Sequence, residues 1–196
     1  MDYAYANAEF VKSCNDVKLL PERRLQEVIF VGKSNVGKSS LINALVNQTN
    51  LAFTSKKPGH TRLLNYYLIE NVFYFVDCPG YGFSRQKDVD YAFYGNMIEG
   101  YFKDNKYLKL IVFLLDSRHV PTDDDLDFYN FIKDCNYKYV IVMTKADKLN
   151  QAGKAQIIKN LTSKFGENSD NSVLMVSIKD KNSLVGLKNK INSEIK

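Results

Sequence analysis

The sequence predicts a three-layer α/β/α fold: a mostly parallel, six-stranded sheet of order 2-3-1-4-5-6, with one antiparallel edge strand and about five flanking helices. Three observations lead there. Short apolar runs alternate with longer stretches of helical period, so that from Val28 onward the order reads β-α-β-β-α-β-α-β-α-β-α. The run at 109–115 is almost continuously apolar, as a strand covered on both faces should be. The first run ends on Gly32 and leads directly into a helix.

The elements follow in chain order. Residues 27–31 form a short strand, and Leu41, Ile42 and Leu45 at helical spacing predict a helix over 38–47. Residues 63–70 and 72–77 read as two strands joined by a tight turn at Glu70-Asn71, an antiparallel hairpin on an otherwise parallel sheet. Val89, Phe93, Met97 and Tyr101 recur every four residues, with Tyr94, Ile98 and Phe102 beside them, which makes 87–104 a helix with a broad apolar face. Gly95 and Gly100 weaken it. Pro121 and the acids Asp123, Asp124 and Asp125 suit the first turn of a helix over about 122–135. A strand over 139–144, a helix over 153–165, a strand over 173–177 and a helix over 183–195 complete the order. The whole chain, 1–196, reads as one domain. Residues 1–26 are a less regular extension packed on it, able to add an edge element.

The composition excludes several classes. Of 196 residues 45% are hydrophobic and 25% charged, values that rule out wholesale disorder, a collagen-like repeat or a disulfide scaffold. Cys14, Cys78 and Cys135 are widely spaced and odd in number, which points to a reducing cytoplasm rather than a disulfide framework or metal cluster. The opening MDYAYANAEF lacks a basic, then apolar, leader pattern, and no window approaches roughly 18 apolar residues, so neither a signal peptide nor a membrane span is expected. A net charge of +5 permits an anionic partner such as RNA without requiring one. No heptad or sticky edge stands out, so a monomer is the expectation, with no DNA or membrane partner.

The chemistry is concentrated in a few motifs. Gly32-Lys33-Ser34-Asn35-Val36-Gly37-Lys38-Ser39, followed by Ser40, matches GxxxxGK[ST] at every fixed position, after a strand and at the opening of a helix. The glycines let successive N–H groups converge on the α- and β-phosphates of a nucleotide, Lys38 reaches the β- and γ-phosphates, and the Ser39 hydroxyl can ligate Mg²⁺. Asp77-Cys78-Pro79-Gly80 closes a strand, so Asp77 can hold Mg²⁺ through water and the Gly80 N–H can meet the γ-phosphate. Thr144-Lys145-Ala146-Asp147 follows another strand. Asp147 can accept from the N1–H and N2–H₂ of guanine, a donor pair adenine lacks, while Lys145 braces the phosphate loop. GTP and GDP are therefore the expected ligands rather than ATP. Ser177-Ile178-Lys179 falls where backbone donors would meet guanine O6, although a strand end with a solvated lysine explains it almost as well.

Between the phosphate loop and Asp77 lies a polar stretch, 54–62, expected to be a mobile loop. One threonine there should supply a second hydroxyl to Mg²⁺: Thr61 is the choice, Thr54 the alternative. Gly59, His60 and Thr61 are placed at the nucleotide, with His60 read as a solvated loop residue rather than a base. Lys38, Thr61 and Gly80 are the candidates for acting on the transferred phosphoryl group. Tyr81 stands where many switch GTPases carry a water-orienting glutamine, which predicts slow intrinsic hydrolysis accelerated by a partner or by K⁺. Asn35 either helps hold K⁺ beside the phosphates or only shapes the loop; both readings stand.

Beyond the individual motifs, the chain resembles the EngB family (also called YihA or YsxC) over most of its length. The resemblance is carried by Ala8-Glu9-Phe10-Val11-Lys12-Ser13, by GKSNVGKSS at 32–40 with Lys33 where arginine is commoner, by Pro58-Gly59-His60-Thr61-Arg62, by DCPGYG at 77–82, and by 116–125 with Arg118, His119 and Pro121. Thr144-Lys145-Ala146-Asp147 resembles that family's own form of the guanine motif. Two departures are Phe93 and Tyr94 where the family usually has a tryptophan nearby, and Ile178 where a small residue is usual. The resemblance implies a cytoplasmic, Mg²⁺-dependent GTPase that assists assembly of the large (50S) ribosomal subunit, meeting rRNA and ribosomal proteins of its precursor, with a role in cell division. The alternatives are another small bacterial GTPase of the same superclass, or a nucleotide-gated binding protein with negligible catalysis. A metabolite kinase would need an arginine-rich lid, and the guanine motif argues against it.

Overall fold

The computed structural model describes residues 3–53, 63–82, 88–166 and 173–195 (of 17 and 88–94 the backbone alone), and among them run seven strands and five α-helices. The centre is β2 (Gln26–Gly32), whose residues from Glu27 on are buried because helices cover both of its faces. It runs parallel to β4 (Phe73–Asp77) on one side and β5 (Leu108–Asp116) on the other. β6 (Tyr139–Thr144) and β7 (Val173–Met175) extend the parallel series beyond β5. On the other flank β3 (Leu64–Ile69) pairs antiparallel with β4 through the expected hairpin. Glu70 and Asn71 adopt positive φ, 50° and 57°, as a two-residue turn between right-twisted strands requires.

These six strands stand in the expected order, and the N-terminal extension, read as able to add an edge element, supplies a seventh strand. β1 (Ala8–Cys14) pairs antiparallel with the outside of β3, giving the sheet order β1-β3-β4-β2-β5-β6-β7. The antiparallel β3 is therefore flanked on both sides rather than lying at the edge. The reason the bounds of β1 were hidden is physical: an edge strand here buries little, with Phe10 52% exposed, so alternation is nearly absent and main-chain pairing holds it. The segment before it is better anchored. Tyr5 is buried, sets its ring edge-on to Phe73 and Phe75, and donates its hydroxyl to Asn192 Oδ1 at 2.9 Å. Tyr5→Ala should lower the unfolding free energy by about 3–5 kcal/mol, read from denaturant melts. A change near zero would show that the N-terminal segment contributes nothing to the core.

Two apolar layers sandwich the sheet. On one face Ile29, Val31, Phe113 and Met143 meet α2 (Asp88–Phe102), α3 (Asp123–Asp134) and α4 (Gln151–Phe165) through Tyr101, Tyr129, Ile132, Leu161 and Phe165. On the other, Val28, Phe30, Val112 and Val142 meet α1 (Lys38–Leu45) and α5 (Lys181–Glu194) through Leu41, Ile42, Leu187 and Ile191. Local chemistry shifts some ends from their expected places. Asn150 and Asp180 cap their helices by accepting from Gly153 N–H and Asn182 N–H, which starts α4 and α5 at 151 and 181. β7 ends at Met175, leaving Ser177 to Lys179 in the following turn. Among the described residues no helix is long and apolar enough to cross a membrane.

Candidate nucleotide-binding site

Five parallel strands deliver their C-terminal ends to one rim of the sheet, the place where open α/β sheets carry ligands. Gly32, Asp77, Asp116 and Thr144 end β2, β4, β5 and β6, and the motifs beginning at Gly32, Asp77, Asp116, Thr144 and Ser177 all hang from this rim.

The phosphate loop runs from Gly32 to the start of α1. Gly37 caps that helix in a left-handed conformation, φ 111°, a geometry that costs glycine little and a side chain much. Lys38 is buried at the base of the loop, its Nζ donating to the carbonyls of Gly32 at 3.1 Å and Lys33 at 3.4 Å. Burial pushes its ammonium pKa down, and the charge of Asp77 offsets part of that shift.

Ser39 and Asp77 meet directly: Ser39 Oγ donates to Asp77 Oδ2 at 2.6 Å. The other carboxylate oxygen, Asp77 Oδ1, is buried with no hydrogen-bond partner among the described residues. Burial raises the Asp77 carboxyl above the usual carboxylate range, with the Lys38 charge and the Ser39 hydrogen bond working against it. A hydroxyl beside an orphaned buried carboxylate oxygen, with a lysine close by, fits a hydrated Mg²⁺ at a phosphate chain. No group of three or more His, Cys, Asp or Glu side chains gathers among the described residues, so this pair is not part of a self-sufficient protein cage.

The loop after Asp77 packs against the phosphate loop. A Cβ on Gly80 would lie 2.6 Å from both Cα and N of Ser34, so only glycine fits there. Ser34 N–H donates to the Tyr81 carbonyl at 3.2 Å, and Ser34 Oγ lies 3.3 Å from the Gly80 carbonyl.

The base-reading end is equally local. Thr144 Oγ1 lies 2.8 Å from the Val36 carbonyl and 3.2 Å from that of Leu115, tying β6 to the phosphate loop with one shared proton. Lys145 Nζ donates to the Asn35 carbonyl at 3.0 Å and to Asp116 Oδ2 at 2.7 Å. Asp147 projects at the rim, with Ser177 Oγ donating to its Oδ1 at 2.8 Å and the ammonium groups of Lys148 and Lys179 each 3.8 Å from Oδ2. The Ser177 hydrogen bond, aided by these charges, holds its carboxyl below the usual range. An ionised, pre-oriented carboxylate is what a guanine N1–H and N2–H₂ pair needs. Ser177 Oγ also accepts from Lys179 N–H at 3.1 Å, which gives the turn over 177–179 its shape.

Similarity to known proteins agrees with this geometry. Residues 27–145 match the family model described as "50S ribosome-binding GTPase". A probable GTP-binding protein EngB of Clostridium kluyveri is 46% identical over 154 residues, covering 79% of this chain and 77% of the relative. The Geobacillus kaustophilus protein of the same name is 48% identical over 142 residues, covering 72% and 73%. This chain belongs to the EngB family of GTPases.

Solved structures agree on the fold of this EngB-family chain. A probable GTP-binding protein engB superposes with a TM-score of 0.69 at 24% identity, covering 86% of this chain and 98% of that one. A single-residue variant of Aquifex aeolicus Era bound to GDP·AlF₄⁻ also gives 0.69, at 28% identity, over 89% of this chain and 58% of that one. As an EngB-family GTPase the chain binds guanine nucleotide and hydrolyses GTP.

Several expected site residues are brought together and others are not described. Lys38, Ser39, Asp77 and Gly80 surround the phosphate loop, while Thr144, Lys145, Asp147 and Ser177 line the base end. Gly59, His60, Thr61 and the alternative Thr54 lie outside the described residues, as do the side chains of Phe93 and Tyr94. Ile178 stands 53% exposed and does not enter the Asp147–Ser177 contact. Asn35, at φ 63°, is exposed, and its carbonyl is the group Lys145 holds. The Tyr81 backbone lies against the phosphate loop, but its side chain is buried and hydrogen-bonded to Asp125.

One contributor went unread in the sequence. Asp116 grips Lys145 and is itself held by Arg118 through Nε at 2.9 Å and a second nitrogen at 2.7 Å. Partial burial raises its carboxyl, but the hydrogen bonds from Arg118 and Lys145 outweigh this and hold it far below the usual range. The available signal was an acid at the end of the central apolar run with an arginine two residues on.

Proposed function

We propose that this EngB-family GTPase binds GTP with Mg²⁺ and acts in the cytoplasm as an assembly factor on the precursor of the large ribosomal subunit. The observation that carries the chemistry is the Ser39–Asp77 contact with a carboxylate oxygen that has no partner among the described residues. Ser39 and Asp77, with Thr61 from the loop over 54–62, would hold the ion. Mg²⁺, when bound, neutralises charge on the β- and γ-phosphates. The protein's own residues do the rest. Lys38 turns its ammonium from the loop carbonyls to the phosphate oxygens, the loop amides of Asn35 and of Gly37 to Ser40 at the start of α1 cradle the chain while those of Ser34 and Val36 hold the loop's own shape, and Gly80 offers its N–H to the γ-phosphate. Gly59 and His60 belong to the same loop side of the nucleotide, and Ser177, Ile178 and Lys179 to the guanine side.

Tyr81 supports slow intrinsic turnover, because a buried phenol bonded to Asp125 cannot orient an attacking water. A positive charge from outside is then the natural accelerator, either K⁺ held by the exposed Asn35 amide or a group from the partner. The large-subunit partner rests on the matching family's description; the name of a similar structure, Era in complex with nucleotides of 16S ribosomal RNA, supports contact with ribosomal RNA in general, since that RNA belongs to the small subunit.

Co-sedimentation of the chain with 50S subunits in the presence of a non-hydrolysable GTP analogue or GDP tests this reading. The analogue should retain the protein on the subunits and GDP should release it, while 50S subunits, in K⁺ rather than Na⁺ buffer, should raise GTP turnover. Nucleotide-dependent binding with no stimulated turnover would favour a nucleotide-gated binding protein, and no binding in either state would contradict the proposal.

A further inference from the structure

Tyr81 departs from the usual residue at its position, and its surroundings show what it does instead. Its ring lies flat on Phe128 of α3, centroids 4.7 Å apart and planes 17° from parallel, and its hydroxyl donates to Asp125 Oδ1 at 2.7 Å. Burial and then the Asp125 charge push the phenol far above its ordinary pKa, so it stays a donor. The second carboxylate oxygen, Asp125 Oδ2, accepts from Thr122 N–H and from Thr122 Oγ1, each at 2.8 Å, closing the capping box of α3. Thr122 Oγ1 in turn accepts from Lys33 Nζ at 2.8 Å, and Asp124 Oδ2 lies 3.4 Å from the same ammonium. Lys33 precedes Ser34, whose N–H donates to the Tyr81 carbonyl, and Lys33 and Tyr81 form a parallel bridge.

The contacts close into a ring: phosphate loop, Tyr81, Asp125, Thr122, Lys33 and back to the phosphate loop. Gly80 sits inside it, fixed between Tyr81 and Ser34 with no room for a Cβ.

The geometry points to Asp125 as a positioning residue for γ-phosphate recognition: through Tyr81 it holds the Gly80 amide at a set distance from the phosphate loop. This rests on the reading of Gly80 as the γ-phosphate donor. The residue type that replaces glutamine thus anchors the loop to α3 rather than ordering water, and Lys33 ties the facing loop to the same turn. The arrangement favours the nucleotide that carries a γ-phosphate, since GDP has no group for Gly80 to meet.

Tyr81→Phe keeps the ring on Phe128 and removes only the hydroxyl. Asp125→Asn keeps an oxygen for Thr122 and removes the charge. Both variants are compared with wild type for affinity toward GDP and toward a non-hydrolysable GTP analogue, and for kcat and KM with GTP. The expected result is GDP affinity within about twofold of wild type, with analogue affinity and kcat each lower by about tenfold, the loss usual for a misplaced hydrogen bond near charge. Lys33→Met, which cuts the tether from the other side, should shift the same ratio in the same direction. Equal loss for GDP and the analogue, or no loss for either, would overturn the positioning role. Gly80→Ala, whose Cβ would push against Ser34, tests the underlying reading: equal affinity change for GDP and the analogue in that variant would instead sink Gly80 as the γ-phosphate donor.

Discussion

Asp147→Asn should convert a guanine site into one that favours xanthine. In the native chain Asp147 is held as a carboxylate by Ser177 and flanked by Lys148 and Lys179, so both of its oxygens are acceptors. Guanine offers two donors on the matching edge, and an asparagine can accept only one of them while turning its own NH₂ against the other. GTP affinity should fall by about 10²-fold or more, in the manner of sites that leave a substrate donor unpaired. Xanthine carries an oxygen where guanine carries its NH₂, so XTP should gain in the variant. The Ser177 hydroxyl can still donate to the asparagine oxygen, which preserves the loop and separates loss of recognition from loss of fold. Competition by unlabelled GTP and XTP against a fluorescent guanine nucleotide reads both changes. Unchanged GTP preference would remove Asp147 from the base site.

Lys38→Ala should lower kcat for GTP by about 10²- to 10³-fold, the range for deleting one pre-organised charge at a developing anion. Its second consequence is a pH dependence. Burial raises the Asp77 carboxyl and the Lys38 charge lowers it, so deleting Lys38 raises it further. Mg²⁺ needs the ionised form. Affinity for Mg²⁺–nucleotide should therefore be full above the Asp77 pKa and be lost as pH falls through it. That loss should begin at a higher pH than for an ordinary carboxylate, and higher again in Lys38→Ala. Titrating Mg²⁺–GDP binding between mildly acidic and neutral pH tests both statements. Coincident pH profiles for wild type and variant would show that Lys38 does not act on Asp77.

These two residues were legible in the sequence because each belongs to a contiguous motif whose chemistry is local. Lys38 and Asp147 sit within a few residues of the glycine, threonine or strand end that positions them, and strand period and turn residues alone place those strand ends on one rim. Asp116 was not legible, since its work depends on Lys145, 29 residues away, arriving at 2.7 Å. Tyr81 was legible as a missing glutamine but not as an anchor, because Phe128 and Asp125 reach it only once α3 packs on the sheet. The hairpin at Glu70-Asn71 could be read from its turn residues, whereas the bounds of β1 could not, because pairing with β3 rather than burial makes it a strand. Ser177 acquires its meaning from the fold as well: a serine after a short strand says little until its hydroxyl is seen on Asp147.

The most direct test of the account is phosphate release from GTP and from ATP by the purified wild-type chain, each with Mg²⁺ and with excess chelator. Slow release from GTP alone, abolished by the chelator, is the result that follows from Asp147 reading guanine and from Ser39 and Asp77 holding the ion. Comparable release from ATP, or release from GTP that persists without Mg²⁺, would contradict it.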